Sequence, residues 1–278
     1  MSTIRTTIER AKRQRAARAG GAPVEPSLPA PSDGARYPEN VIRLSEITRL
    51  EANWSALQAA RIITEHTRNP AEPAYRMVRT RIMRKMRSND WRVLGISSLG
   101  PGEGKTYTAV NLAISIAAEV DQEAVLIDMD LRRPSVYKYL GVDPGSFRGL
   151  TEYLEGDGED LESFFVCPGI DRLGCLLTSV PLDRPSDLLG SPRGREFFAQ
   201  LRERLPRETV IVVDLPPLLA ADDALAVAPM LDGLLFVVAE GQTKRDDVNE
   251  ARELLAEFNL VGTLLNKSVE RENRSYYY

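Results

Sequence analysis

The chain has 278 residues, 43% of them hydrophobic and 27% charged, with a net charge of −4 at neutral pH. That length accommodates one large α/β domain with appendages, or two small domains, and the near-balanced charge removes any global electrostatic case for a nucleic-acid partner. No apolar run reaches the ~18 residues that span a bilayer, and no apolar core follows the N-terminal charges, so a membrane role is expected to come only through a partner. The two cysteines, Cys167 and Cys175, match no common zinc-site spacing and read as small buried side chains in a reduced, cytoplasmic compartment.

Residues 1–19 are expected to form a basic N-terminal helix. Arg5, Arg10, Lys12, Arg13, Arg15 and Arg18 face only Ile4 and Ile8 as sizeable apolar residues, which suits a solvated or partner-binding helix better than a membrane-surface one. Residues 20–40 are rich in Pro, Ala and Gly and read as a linker. Residues 41–90 are charged and helix-prone and read as a helical N-terminal extension, broken at Asn69-Pro70-Ala71-Glu72-Pro73. Within it, Tyr75, Val78, Ile82, Met83 and Met86 form the apolar stripe of a helix with a basic opposite face, expected to pack on the domain that follows. His66 lies in a polar stretch and is assigned no role.

From Trp91 to Ile96 an apolar run leads into Gly100-Pro101-Gly102-Glu103-Gly104-Lys105-Thr106, and then into the helical composition of Ala109 to Ala117. Strand, glycine loop and helix in that order are the context of a phosphate-binding loop. Gly102 and Gly104 let backbone N–H groups turn toward an anion, and the helix N-terminus adds its partial positive charge. Lys105 is then expected on the β- and γ-phosphates and the Thr106 hydroxyl on Mg²⁺. Gly100 to Thr106, with Tyr107, are the expected nucleotide contacts. The strict G-x-x-x-x-G-K-[ST] pattern asks for glycine at position 99, where this chain has Leu99.

Further apolar runs at 124–128, 173–177, 209–214, 234–238 and 261–266 alternate with helical stretches at 193–205, 222–228 and 246–258. Alternation of this kind means an α/β fold: a doubly wound, mostly parallel sheet with helices on both faces. Two strands end in acid. Asp214 follows Val210-Ile211-Val212-Val213, the form of a strand whose aspartate holds the Mg²⁺ shell. Asp128-Met129-Asp130 ends the other, and alternate residues of an extended segment share a side. Lys105, Asp128, Asp130 and Asp214 are therefore the candidate catalytic residues, and Thr106, Asp128, Asp130 and Asp214 the candidate metal ligands, with a carboxylate available to take a hydroxyl proton. The competing role for the Asp128 and Asp130 pair is capping and salt bridging with Arg132 and Arg133. Asn266, at a strand end before Lys267, reads equally as an adenine contact and as a strand-end cap.

The segments 100–106, 125–134 and 212–217 resemble the Walker A, Walker A′ and Walker B motifs of the bacterial tyrosine kinases of capsule and exopolysaccharide synthesis, a P-loop NTPase fold. The resemblance runs from about Tyr75 to the C-terminus, and within the family the charged N-terminal helix and Pro-rich linker look most like the exosortase-associated tyrosine autokinases. It implies an ATP- and Mg²⁺-dependent kinase in residues 91–268, which phosphorylates Tyr276, Tyr277 and Tyr278 in a tail at 269–278. The acceptor tail is expected to come from a neighbouring subunit. The resemblance also implies a membrane polysaccharide co-polymerase or chain-length regulator as activator, a homo-oligomer, a cognate tyrosine phosphatase and a cytoplasmic location at the inner face of the plasma membrane. Members often lack the first Walker A glycine, so Leu99 fits. Leu215 departs from the Ser or Thr usual after the Walker B aspartate. The family's E-x-x-R-x-x-R oligomer motif is approximated by Arg76 and Arg79, with Glu72 one residue too far away. Two other readings remain: a partitioning or positioning ATPase, which would carry a second lysine early in the loop where this chain has none, and a non-catalytic nucleotide-binding regulatory subunit, which would not need all of Lys105, Thr106, Asp128, Asp130 and Asp214.

Overall fold

The computed structural model describes residues 40–65, 69–156, 160–220 and 222–268. The expected basic helix at 1–19, all but the last residue of the linker, His66 and the tail at 269–278 lie outside the described residues. In chain order the strands and α-helices are β1 (Thr48–Arg49), α1 (Trp54–Ala59), α2 (Glu72–Ser88), β2 (Val93–Ser98), α3 (Lys105–Ala117), β3 (Ala124–Asp128), α4 (Val136–Leu140), α5 (Leu150–Glu155), β4 (Val166–Cys167), β5 (Leu173–Leu176), α6 (Pro185–Leu189), α7 (Pro192–Arg204), β6 (Val210–Asp214), α8 (Asp223–Val227), β7 (Gly233–Ala239), α9 (Arg245–Leu255) and β8 (Leu260–Asn266).

The strands form one sheet in the order β1-β4-β5-β3-β6-β2-β7-β8, parallel throughout except between β4 and β5. The central strands are buried on both sides, as a sheet covered by helices on two faces requires. Alternate residues feed two cores. Val93, Val125, Ile127, Ile211 and Val213 pack with Phe197 and Leu201 of α7, and Leu94, Ile96, Leu126 and Val212 pack with Val110 and Leu112 of α3. Every residue of α3 except Tyr107 is buried, because α2 covers the side of α3 that the sheet does not. Tyr75, Ile82, Met83 and Met86 are the buried face of α2, as the stripe in the sequence predicts.

Residues 41–90 are not wholly helical, and this corrects the sequence expectation. Ile42 and Leu44, two residues apart as in a strand rather than a helix turn, are buried in the core shared with α7, and the Ile42 N–H donates to the Arg204 carbonyl at 2.7 Å. Thr48 and Arg49 then extend the sheet beside β4. The charges between these residues disguise the segment, which contributes core side chains and an edge strand to the same sheet as the glycine loop.

Register places the functional strand ends. Asp128 on β3 lies directly opposite Asp214 on β6, and Asp214 opposite Ile96 on β2, whose continuation is the glycine loop. All three strands are parallel, so their C-terminal ends share one edge, the edge at which open α/β sheets bind ligands.

Candidate active site

The glycine loop wraps the start of α3, with Gly102 and Gly104 in the left-handed region at φ 77° and 100°. Among the described residues no hydrogen bond uses the backbone N–H groups of Gly102, Glu103, Gly104, Lys105 or Thr106, which leaves a cradle of donors at a helix N-terminus. In front of it lies a cleft of about 420 Å³, lined by Lys105, Thr106, Asp130, Arg133, Ser135, Tyr139, Pro217 and neighbouring loop residues.

The charges of the site converge on Lys105. Its Nζ lies 2.8 Å from Asp130 Oδ2, 3.4 Å from Asp214 Oδ1 and 3.2 Å from Thr106 Oγ1. The Thr106 hydroxyl donates to Asp214 Oδ2 at 2.7 Å. Burial alone would lower the Lys105 pKa, but Asp214 and Asp130 outweigh it and hold the ammonium above its ordinary value. Burial, together with the facing Asp214 charge, pushes the Asp128 carboxyl up to about 8. Burial likewise pushes Asp214 up to about 6, opposed by Lys105 and the Thr106 hydroxyl. Both shifts follow from burial of carboxylates in a dry space with a single ammonium between them.

Asp128 and Asp130 have separate surroundings. Asp128 is fully buried. Its Oδ2 accepts the N–H groups of Ser135 and Val136, both at 2.9 Å, at the start of α4, and its Oδ1 has no hydrogen-bond partner among the described residues. Asp130 lines the cleft, and its Oδ1 accepts the Arg133 N–H at 3.2 Å. Arg132 also lines the cleft, but its guanidinium pairs with Asp223 at 2.6 Å and bridges neither acid of the pair. Both acids thus accept backbone N–H groups of the segment that follows β3, and neither forms a salt bridge with Arg132 or Arg133 among the described residues.

The donor set suits Mg²⁺. Asp128, Asp214 and Thr106 offer hard oxygen atoms, and the unpartnered Asp128 Oδ1 is a buried acceptor without a donor. Among the described residues no three acidic, histidine or cysteine side chains form a ready metal cage. Mg²⁺ commonly takes only one or two carboxylates and completes its shell with water and phosphate oxygens, so the arrangement fits a cation bound together with nucleotide.

Tyr107 and Asn266 stand apart from this cleft. Both line a larger one of about 930 Å³ on the other side of the first turn of α3. The Tyr107 ring meets Tyr75 and Tyr139 edge-on at 6.2 and 6.4 Å, and its hydroxyl donates to the Arg61 carbonyl. The Asn266 side chain donates from Nδ2 to the Glu103 carbonyl at 2.9 Å, against the glycine loop itself. Arg76 is exposed and pairs with Glu72, whereas Arg79 points inward, its Nη1 on the Ser115 carbonyl at 2.7 Å and its Nε in charge contact with Glu119 at 2.9 Å. The site residues that sequence reasoning missed include Ser135 and Tyr139. Ser135 carried a signal, a helix-start serine just after Arg133-Pro134, whereas Tyr139 carried none beyond its aromaticity.

No family model matches the chain. It is 31% identical over 208 residues to the tyrosine-protein kinase YwqD of Bacillus subtilis, covering 73% of this chain and 84% of that protein. The chain belongs to the bacterial tyrosine kinases. The tyrosine-protein kinase CpsD of Streptococcus agalactiae serotype Ia is 30% identical over 227 residues, 81% of this kinase and 90% of CpsD. Among solved structures, the kinase domain of Escherichia coli tyrosine kinase ETK superposes with a TM-score of 0.66 at 27% identity, covering 84% of this kinase and 93% of that chain. The α/β sheet of this kinase is thus that of a protein-tyrosine kinase with a P-loop nucleotide-binding fold.

Proposed function

We propose that the kinase transfers the γ-phosphoryl group of MgATP to Tyr276, Tyr277 and Tyr278 of a second subunit's tail, and that this cycle regulates exopolysaccharide or capsule synthesis through a membrane-bound chain-length regulator. The observation that carries the reading is the convergence of Lys105, Thr106, Asp130 and Asp214 at one cleft beside a cradle of free N–H groups. The N–H groups of Gly102 to Thr106 and the Lys105 ammonium bind the phosphates and stabilise charge on the transferring group. Asp128, Asp214 and Thr106 hold the cation, which when bound neutralises phosphate oxygens. Asp130, the one of the two Walker A′ acids that lines the cleft, orients the tyrosine hydroxyl and takes its proton. Tyr107, Asn266 and Lys267 offer a ring and polar groups to adenine in the larger cleft.

The exposed side of α2, with Arg76 and the 57%-exposed Met77, is the face available to a second subunit, while Arg79 acts within its own. Among the described residues no helix is long and apolar enough to cross a membrane, consistent with membrane attachment through a partner. The test mixes a Lys105→Met chain bearing an intact tail with an active chain whose three terminal tyrosines are phenylalanine. Phosphotyrosine on the inactive chain is the expected result. Its absence, with the wild-type protein labelled normally, excludes transfer between subunits.

A further inference from the structure

Glu103 sits in the middle of the glycine loop, where a carboxylate would repel the phosphates the loop is there to bind. Its side chain is turned away from that face and is 3% exposed. Oε2 accepts the N–H groups of Leu99, at 2.8 Å, and Gly100, at 3.3 Å, and Oε1 accepts the Thr243 hydroxyl at 2.5 Å. Thr243 is itself tied to the end of β7, where its Oγ1 accepts the Ala239 N–H at 2.9 Å. One side chain thus joins the entry of the loop, its centre and the loop after the neighbouring strand. Two further bonds reach the outer face: Gln242 Nε2 donates to the Pro101 carbonyl at 3.1 Å, and Asn266 Nδ2 to the Glu103 carbonyl.

We propose that Glu103 is a positioning residue, a strut held by Thr243 that keeps the glycine loop in its phosphate-binding shape without touching nucleotide. This deepens the nucleotide-site reading and rests on it. Bonding to Glu103 satisfies the N–H groups of Leu99 and Gly100 on the outer side, so those of Gly102 to Thr106 are the ones left facing the anion. Without the strut two N–H donors at the loop entry lose their acceptor, and a loop containing two left-handed glycines relaxes toward other shapes, which reduces the fraction competent to bind.

Hydrogen-bond geometry, not charge, is what the strut requires. Glutamine can supply one oxygen to Leu99 and Gly100 and an amide N–H to the Thr243 oxygen, so it should substitute for glutamate. The test titrates the full chain with N-methylanthraniloyl-ADP and Mg²⁺, and measures KM for ATP and kcat for tail phosphorylation. The expected result is that Glu103→Ala weakens nucleotide binding about tenfold and raises KM in step while kcat at saturation stays within about threefold. Glu103→Gln should bind within about threefold of wild type, and Thr243→Val several-fold more weakly. Adding Thr243→Val to Glu103→Ala should weaken binding no further, because the two act as one unit. The proposal is overturned if Glu103→Ala binds as wild type does, if Glu103→Gln is as weak as Glu103→Ala, or if the Glu103→Ala and Thr243→Val effects add. Should Glu103→Ala not fold, Thr243→Val binding at wild-type strength overturns it equally. A failure of the kinase reading would look different: wild-type protein would yield no phosphotyrosine while the ADP series kept its order.

Discussion

The two sides of the glycine loop are built from opposite materials. Toward β3 and β6 stand Asp128, Asp130 and Asp214 around one ammonium, buried and crowded enough to push two carboxyls far above their ordinary range. Toward β7 and β8 stand Thr243, Gln242 and Asn266, neutral groups whose bonds to the loop are satisfied without charge repulsion, apart from the single carboxylate of Glu103, which three donors surround. The first side gathers charge beside the cleft. The second holds a shape. Substitutions on the acidic side should therefore act on the chemical step or on the cation, and substitutions on the neutral side on nucleotide binding.

The largest effect is expected at Lys105. Lys105→Met removes the cation that faces the transferring phosphoryl group, and loss of one such preorganised contact costs on the order of 10²–10³-fold in rate. Tail phosphorylation read by anti-phosphotyrosine blotting should fall below detection while the circular dichroism spectrum is kept. Near-normal labelling would remove Lys105 from the phosphoryl site.

Next come the two Walker A′ acids, which should separate. Asp130→Asn, at the cleft, is expected to lower kcat about 10²-fold or more with little change in nucleotide affinity, as loss of a general base does. Asp128→Asn, behind it, should instead raise the Mg²⁺ concentration needed for half-maximal rate. If Asp130→Asn weakens only nucleotide binding, its role as base is wrong.

A smaller effect links Asp128 to stability. The folded-state pKa values of Asp128 and Asp214 lie above the ordinary carboxyl value, so their contribution to stability is fully present below about pH 4 and is lost as the pH rises through about 6 and 8. In EDTA the wild-type melting temperature should fall across that window more steeply than that of Asp128→Asn. At pH 9 the variant should melt several degrees higher, at roughly 2–4 °C per kcal/mol for a domain of this size. Equal melting curves at pH 9 would show that the pair is not in electrostatic conflict.

The smallest effect is expected on the neutral side. Gln242→Ala removes two exposed bonds, one to the Pro101 carbonyl and one from Lys267 Nζ, and should weaken ADP binding by about threefold or less, since an exposed hydrogen bond of this kind is worth ~0.5–1.5 kcal/mol net at most. A larger loss would mean that Gln242 touches the nucleotide.

What the sequence determined by itself is local. Period and composition within a dozen residues mark α2, α3 and the apolar strands, and Gly102, Gly104, Lys105 and Thr106 announce a phosphate loop because each residue type answers a backbone or charge requirement of its own position. The acids at 128, 130 and 214 were legible as strand ends, and the parallel order of strands made their convergence inferable. Tertiary structure alone decided what those residues face. Asp128 and Asp130 share a motif, yet the folded chain turns one toward the N–H groups at the start of α4 and leaves the other lining the cleft. Asn266 meets the loop 163 positions away, and Thr243 meets Glu103 across 140. Ile42 and Leu44 enter the core because α7 closes over them, although the charges of their own segment point to a surface helix. Contacts of this range depend on which strands become neighbours, and hydrogen bonding and burial settle that only when the whole sheet has formed.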